Sequence, residues 1–137
     1  MPREGVYVFD ACAVIALLQA EVGASLVSEF LGARQRCLLH AINACEIYYD
    51  LYRRDGQEIA DGLQEVLAGY GFELIEEMPS SLWRTAGKLK AGWRRVSLAD
   101  CFALALALET SATLVTTDHR EFDPLAEAGV CPIRFLR

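Results

Sequence analysis

The hydrophobic pattern of this chain separates into short apolar runs and longer segments in which apolar residues recur at helical spacing. A short run of β-branched and aromatic residues without a polar interruption is typical of a strand buried on both faces of a parallel sheet. The sequence Gly-Val-Tyr-Val-Phe over residues 5–9 is the clearest case. We predict strands over residues 5–9, 37–39, 72–75, 113–116 and 133–135.

The segments between these strands carry apolar residues at intervals of three and four, which place them on one face of a helix. Leu82, Ala86 and Leu89 show this spacing after a helix start at Pro79. Strands that alternate with helices indicate an α/β fold in which a mostly parallel sheet is covered on both faces, and we expect residues 1–137 to form one domain. We predict helices over residues 11–19, 22–34, 41–54, 59–68, 79–93, 98–109 and 121–128.

The cysteines and the apolar runs indicate the cellular compartment of the protein. The five cysteines are odd in number and include no Cys-x-x-Cys pair, which argues against a disulfide framework or a zinc ribbon and favours a reducing cytoplasm. The apolar run over residues 11–20 lacks the basic region that precedes a signal-peptide core, and it is too short for a membrane span. We therefore expect a cytoplasmic protein without a membrane segment.

The formal net charge of −6 restricts the partners that the protein attracts. An acidic protein is repelled by nucleic acid at long range. Either the partner is not a nucleic acid, or a metal neutralises some of the acids while basic residues gather elsewhere on the surface. Composition alone leaves both alternatives open.

Four acidic residues stand where a fold of this kind binds its ligands. Asp10 and Asp118 each follow a predicted strand directly, and Glu46 and Asp100 lie near the N-terminal ends of predicted helices. In open α/β folds, ligands bind outside the carboxyl ends of the strands, near the point where the strand order reverses. We therefore expect the four carboxylates to share one end of the sheet.

Each of these acids also has a purely structural interpretation. Asp10 and Asp118 can begin the helix or turn that follows them. The Ser-x-x-Asp stretch over residues 97–100 and the Asn-x-x-Glu stretch over residues 43–46 have the spacing of a capping box. Capping explains any one of the four acids, but it does not explain why four like charges that repel each other share one cleft.

A hard divalent cation would relieve that repulsion. Mg²⁺ and Mn²⁺ prefer carboxylate and water oxygens as ligands, whereas zinc prefers His or Cys. His40 and His119 are the only histidines, and neither has a metal-ligand partner at helical or hairpin spacing. The pattern therefore favours Mg²⁺ or Mn²⁺ over zinc.

The order and spacing of the acids carry a resemblance to a known family. Residues 8–18, Glu46, the Ser-Leu-Ala-Asp-Cys stretch over 97–101, and the Leu-Val-Thr-Thr-Asp stretch over 114–118 with Phe122 resemble the PIN domain. More narrowly, they resemble the VapC-type toxins of bacterial and archaeal toxin–antitoxin pairs. The resemblance covers essentially the whole chain and implies a single PIN-like domain, with a parallel five-stranded sheet flanked by helices on both faces.

The resemblance also implies a chemistry: a Mg²⁺- or Mn²⁺-dependent ribonuclease that hydrolyses RNA phosphodiester bonds as the toxin of such a pair. Thr116 and Asp123 are further candidates, as accessory members of the site. The chain departs from the family at Cys12, where the family often has Ser or Thr two residues after the first acid. The catalytic and metal-binding roles that carry over fall on Asp10, Glu46, Asp100 and Asp118.

The expected partners are an RNA substrate, a cognate antitoxin and a second copy of the chain. Similar toxins form homodimers and are clamped by an antitoxin segment whose basic residue enters the acidic site. Positive charge for RNA binding is concentrated just before the helix over residues 98–109, and it predicts either an RNA-binding surface or an ordinary solvated helix face. The basic residues of that segment are Arg84, Lys88, Lys90, Arg94 and Arg95.

Two other classes of protein share parts of this pattern. A catalytically silent PIN-like module would keep the fold in order to bind an antitoxin or another protein, although four intact acids argue against it. A receiver domain also combines an α/β fold with an acidic Mg²⁺ pocket. It requires a Lys after a late strand, and residues 130–135 contain none.

Overall fold

The computed structural model describes residues 5–20, 29, 31 and 35–137. These residues contain five strands, β1 to β5, which span Val6–Phe9, Arg36–His40, Phe72–Ile75, Thr113–Thr116 and Ile133–Phe135. They also contain seven helices, α1 to α7, which span Ala11–Leu18, Ala41–Asp55, Gln57–Asp61, Leu63–Tyr70, Ser80–Gly92, Leu98–Thr110 and His119–Ala128. The five predicted strands are confirmed, whereas the helix predicted over residues 22–34 falls almost entirely outside the described residues.

The five strands form one sheet in the order β3-β2-β1-β4-β5, and every neighbouring pair is parallel. The predicted α/β architecture is confirmed. β1 is the central strand, with Tyr7 in register with Cys37 on one side and with Thr113 on the other. Because the strand order reverses between β1 and β4, the ligand crevice typical of such folds opens at the carboxyl ends of these two strands.

A hydrophobic core lies on each face of the sheet, and adjacent residues of β1 point into opposite cores. Each large apolar side chain that is fully buried there contributes about 1.5–3 kcal/mol to stability. One core packs α5, α6 and α7 against the strands and includes Val8, Leu82, Leu104, Leu114 and Phe122. The other packs α1, α2 and α4 against the strands and includes Phe9, Val14, Leu39, Ile47 and Leu67.

Two helical segments differ from the prediction. The segment predicted as one helix over residues 59–68 lies in two helices, because the Gly62 N–H donates to the Ile59 carbonyl oxygen at 3.1 Å and ends α3. The last helix, α7, begins at His119 rather than at residue 121, because Asp118 caps it. Among the helices of the described residues, none is both long enough and apolar enough to cross a membrane.

Candidate metal and catalytic site

Three of the four predicted acids lie at helix N-termini beside the carboxyl ends of β1 and β4. Asp10 and Asp118 cap α1 and α7, each by accepting a hydrogen bond from the backbone N–H three residues later, at 2.9 and 3.2 Å. Ser97 caps α6 by accepting a hydrogen bond from the Asp100 N–H at 3.2 Å. Capping and ligand binding are compatible here, because a helix N-terminus stabilises an ionised carboxylate.

Thr116, the last residue of β4, connects Asp10 to Asp118. Its buried hydroxyl donates a hydrogen bond to Asp10 Oδ2 and accepts one from the Asp118 N–H at 3.0 Å. The Asp10 N–H donates to the Val115 carbonyl oxygen at 3.2 Å, which extends the contact between the two strand ends. The accessory role predicted for Thr116 stays a prediction, but its side chain lies between two of the candidate acids.

The carboxylates of Asp100, Asp118 and Glu121 form a compact group, called the carboxylate cluster below. One oxygen from each lies within 4.8 Å of the other two, and Asp100 is only 6% exposed. The buried Oε2 of Glu121 has no hydrogen-bond partner among the described residues. A buried carboxylate oxygen without a partner is costly, and this favours a ligand that is positively charged.

Sequence reasoning missed Glu121. The predicted helix began at that residue, and an acid in the first turn of a helix is common on a solvated surface. The useful signal was its distance from Asp118 along the chain. A helix cap and the residue three positions later lie on the same side of the first turn, so an acidic cap followed by Glu at that spacing brings two carboxylates together.

Glu46 lies in the second turn of α2 and is the most exposed of the four predicted acids. α2 is capped by His40, whose Nδ1 accepts a hydrogen bond from the backbone N–H two residues later at 3.1 Å. The alternative interpretation of residues 43–46 as a capping box therefore does not hold. The buried Asn43 side chain instead donates to the Ala99 carbonyl oxygen at 3.2 Å, which ties α2 to the start of α6.

Burial and mutual repulsion raise the pKa values of these acids. Burial raises the pKa of Asp10 to about 7, and the charges on Asp118 and Glu46 add to the rise, although hydrogen bonds to its carboxylate oppose it. Burial also raises the pKa of Asp100, as do its hydrogen bond with the Glu121 carboxyl and the charge on Asp10. Partial removal from water raises the pKa of Glu46, and the charge on Glu121 contributes to that rise.

Burial and the charges of the same acids also raise the pKa of the Cys12 thiol. Partial removal from water raises its pKa to about 12, and each of the four predicted acids adds to the shift. The thiol is therefore neutral at physiological pH, and a neutral thiol is neither a good metal ligand nor an activated nucleophile. Cys12 therefore does not introduce a thiolate beside these acids.

The donor atoms of the site suit a hard divalent cation, because they are carboxylate oxygens. Both histidines are engaged elsewhere. His40 Nε2 lies 3.1 Å from the Glu77 carbonyl oxygen, and the His119 ring nitrogens contact the Arg137 carbonyl oxygen and, at 2.7 Å, Asp123 Oδ1. Asp123, the second accessory candidate, is thus an exposed partner of a histidine and lies outside the carboxylate cluster.

Four of the basic residues that the sequence grouped for RNA binding are exposed, namely Arg84, Lys88, Arg94 and Arg95. Arg84 and Lys88 project from α5, where the Arg84 guanidinium lies 5.4 Å from the centroid of the Trp83 ring. Arg94 and Arg95 lie on the loop between α5 and α6, and both line a cavity beside the carboxylate cluster. The structure therefore divides these four residues between a helix face and a cavity rim.

A family model of the PIN domain matches residues 7–128. With the five-stranded parallel sheet and the acids at its carboxyl edge, this match shows that the chain belongs to the PIN domain family. Among characterised proteins, the chain is similar to ribonuclease VapC42 of Mycobacterium tuberculosis. The identity is 25% over 114 residues, which cover 79% of this chain and 87% of that relative.

Solved structures of toxin–antitoxin proteins share the fold. VapBC2 from Rickettsia felis, bound to a DNA fragment from its promoter, gives a TM-score of 0.73 at 16% identity, with 95% of this chain and 98% of that chain covered. VapC20 from Mycobacterium tuberculosis, described as a sarcin-ricin loop cleaving toxin, gives a TM-score of 0.66 at 17% identity, with 88% and 95% covered. At these identities the likeness concerns the fold alone.

Proposed function

We propose that this protein is a metal-dependent ribonuclease that hydrolyses RNA phosphodiester bonds and acts as the toxin of a toxin–antitoxin pair. The observation that carries the proposal is the carboxylate cluster, whose oxygens lie within 4.8 Å of one another at the strand ends where the buried Asp10 also lies. Membership of the PIN family and the similarity to VapC ribonucleases support the same reaction class.

The residues that would hold Mg²⁺ or Mn²⁺ are the four predicted acids together with Glu121. A bound cation of this kind lowers the pKa of a coordinated water and stabilises charge on phosphoryl oxygens. Three of these carboxylates, those of Asp100, Asp118 and Glu121, already lie within 4.8 Å of one another, and Asp10 and Asp100 are buried. Thr116 fixes Asp10, and the helix N-termini orient Asp10 and Asp118, so little reorganisation is needed on binding.

Water is the nucleophile in this proposal. Serine and cysteine nucleophiles require an adjacent base or a lowered pKa. The pKa of the Cys12 thiol is instead raised to about 12, and the ring nitrogens of His119 are engaged with Asp123 and the C-terminal residue. Hydrolysis by an activated water is the chemistry that a group of carboxylates supports.

RNA binding requires local positive charge, because the chain as a whole is acidic. Arg84, Lys88, Arg94 and Arg95 are the proposed phosphate contacts. The toxin role also requires a cognate antitoxin, and the likeness to VapBC complexes supports this. A basic antitoxin side chain that lies among the carboxylates would offset their repulsion, as a metal cation does. The other proposed partner is a second copy of the chain, which would form a homodimer.

The test is cleavage of a single-stranded RNA of randomised sequence by the purified chain, with Mg²⁺, with Mn²⁺ or with a chelator. Removing one ligand charge with Asp100→Asn should lower the rate by about 100-fold or more. The matched control is Asp55→Asn, which alters an exposed acid at the end of α2 and should leave the rate unchanged.

Three results would contradict the proposal. Cleavage that persists in chelator would show that no divalent metal is needed, and wild-type cleavage by Asp100→Asn would remove the assigned site. A chain that binds an antitoxin but cleaves no RNA under any of these conditions would favour the silent interaction module instead.

A further inference from the structure

A cavity of about 240 Å³ lies beside the carboxylate cluster. We call it the arginine pocket, because three of its lining residues are arginines from two different elements: Arg94 and Arg95 from the loop before α6, and Arg120 from α7. Trp93 and Pro124 supply apolar surface. Sequence reasoning included the first two arginines but did not anticipate Arg120, which follows the candidate metal ligand Asp118 by two residues.

Glu121 lines the arginine pocket and also belongs to the carboxylate cluster. The two sites are therefore adjacent, with one side chain forming part of both. An extended ligand that placed a phosphate at the carboxylates would reach the pocket with its neighbouring unit. A polynucleotide is such a ligand, because each of its repeating units carries one phosphate and one base.

The arginines of the pocket are available to a ligand. Arg94, Arg95 and Arg120 form no ion pair with any carboxylate of the described residues, although Glu121 lines the same cavity. Arg36, Arg53 and Arg54, in contrast, each pair with an acid. Unpaired guanidinium groups recognise phosphate well, since their donors form a planar fork that matches two oxygens.

The loop that carries two of these arginines is held in place by backbone and side-chain contacts. The Trp93 N–H donates to the Leu89 carbonyl oxygen at 2.7 Å, and the Val96 N–H donates to the Trp93 carbonyl oxygen at 3.0 Å. Lys90, which the sequence grouped with the RNA-binding residues, donates through Nζ to the carbonyl oxygens of Arg94 and Val96, both at 2.8 Å. The backbone that carries Arg94 and Arg95 is therefore held in place by contacts within the chain.

We propose that the arginine pocket binds one nucleotide of the RNA strand next to the bond that is cut, with its base against Trp93 and Pro124 and its phosphate on the arginines. Bases stack on aromatic side chains and arginine planes in single-stranded RNA recognition. The pocket thereby sets the nucleotide preference at that position. This inference rests on the proposed ribonuclease function and extends it to substrate selection.

The first test measures binding of a single-stranded RNA of randomised sequence over a series of salt concentrations, in an Asp10→Asn background so that the RNA stays intact. The double variant Arg94→Ala/Arg120→Ala should bind the RNA about 10-fold more weakly or worse. The slope of the logarithm of its binding constant against the logarithm of the salt concentration should fall in magnitude by about one to two, because fewer counterions are released. Arg53→Ala/Arg54→Ala is the matched control, because it removes the same number of positive charges from the far end of α2.

The second test sequences the products that the active chain makes from the same RNA pool. Trp93→Phe should keep the nucleotide preference beside the cut, because a ring still faces the base, whereas Trp93→Leu should flatten it. Thermal unfolding checks that both variants fold, since Trp93 also packs against the core. Equal preferences in the leucine variant and the wild type would overturn the assignment of the base to Trp93.

The outcomes separate this inference from the proposed function. If the wild-type chain cleaves RNA, and the Arg94→Ala/Arg120→Ala variant binds and cleaves RNA like Arg53→Ala/Arg54→Ala, the pocket assignment is wrong while the ribonuclease function stands. If the double variant loses affinity for an acidic peptide but not for RNA, the pocket serves a protein and the inference is also wrong. If the wild type cleaves no RNA with either metal, the proposed function fails first.

Discussion

Two groups of charges in this molecule are arranged in opposite ways. On α2, Asp50 pairs with Arg53 at 3.5 Å and with Arg54 at 3.3 Å. In the carboxylate cluster, Asp100 and Asp118 lie close to a third acid and form no ion pair with any basic residue of the described chain. Asp50, which lies outside the candidate site, pairs with arginines of its own helix. The carboxylates of the cluster are left to bind a cation that the described residues do not supply.

The largest expected effect comes from the acid that the sequence pattern overlooked. Glu121→Gln should lower metal-dependent RNA cleavage by about 100-fold, because it removes a charge from the carboxylate cluster. Glu127→Gln alters an exposed acid on the same helix and serves as the control. Steady-state rates with Mg²⁺ measure the effect. Equal rates for the two variants would confine the metal site to the four acids predicted from sequence.

The next effect concerns stability, and its sign should differ between the two groups. Without metal at about pH 8, Asp100→Asn should raise the free energy of unfolding by about 1–3 kcal/mol, because the folded chain must keep this buried carboxyl protonated among other acids, a cost that a neutral amide does not carry. Asp50→Asn should lower it by about 0.5–1 kcal/mol, because it breaks two ion pairs. Urea unfolding of both variants gives the comparison. A loss of stability in Asp100→Asn would mean that the cluster is not under electrostatic strain.

A somewhat smaller effect should appear in the pH dependence of the metal-free protein. The pKa of Asp10 is about 7 in the folded chain and near 3.8 ordinarily, so between these values the folded state holds a proton that the unfolded state has released. The free energy of unfolding should therefore fall, on the order of 1–2 kcal/mol, as the pH rises through this window.

Thermal unfolding at about pH 5 and about pH 7.5 measures this change, and Asp10→Asn should reduce it. Added Mg²⁺ should raise the melting temperature more at the higher pH, because protons compete with the cation for the same oxygens. A melting temperature that rises between the two pH values, in a metal-free sample, is the opposite of what the raised pKa requires.

The smallest expected effect comes from a substitution that alters how Asp10 and Asp118 are held but leaves their charges in place. Thr116→Val should lower cleavage about fivefold to tenfold, because it removes the hydroxyl that joins Asp10 to Asp118 without changing the net charge. Thr116→Ser keeps the hydroxyl and should retain most of the rate. Rates measured against Mg²⁺ concentration distinguish weaker metal binding from slower chemistry. A valine variant as active as the serine variant would leave Thr116 with only a packing role.

The sequence predicted the fold, and it located the candidate site at one edge of the sheet, because both depend on local patterns. Buried parallel strands are continuous apolar runs, as at residues 5–9, and a residue that follows such a run must lie at the carboxyl edge of the sheet. Asp10 and Asp118 could be located in this way without any knowledge of side-chain contacts. Asp100 and Glu46 were predicted at the same edge of the sheet because each lies near the N-terminal end of a predicted helix.

The details that the sequence did not predict depend on which neighbours a side chain finds. Asp123 and Glu121 are both acids of the first half of α7, but the first pairs with His119 while the second joins the carboxylate cluster. The sequence grouped Lys90 with the basic residues that could bind RNA. In the structure its Nζ donates to backbone carbonyl oxygens of the loop that follows its helix. Charge and spacing are visible in a sequence, whereas the direction of a side chain is decided by tertiary packing.

The central position of β1 limits how the length of this chain can change. β1 is paired on both sides, and Val8 and Phe9 fill the two opposite cores, so a deletion of one residue within the strand would exchange the contents of both cores. The same deletion would draw Asp10 back from the edge of the sheet by about 3.3 Å. Insertions and deletions are far easier to accommodate near Gly62, between two short helices whose outer faces are exposed, than in the four residues before Asp10.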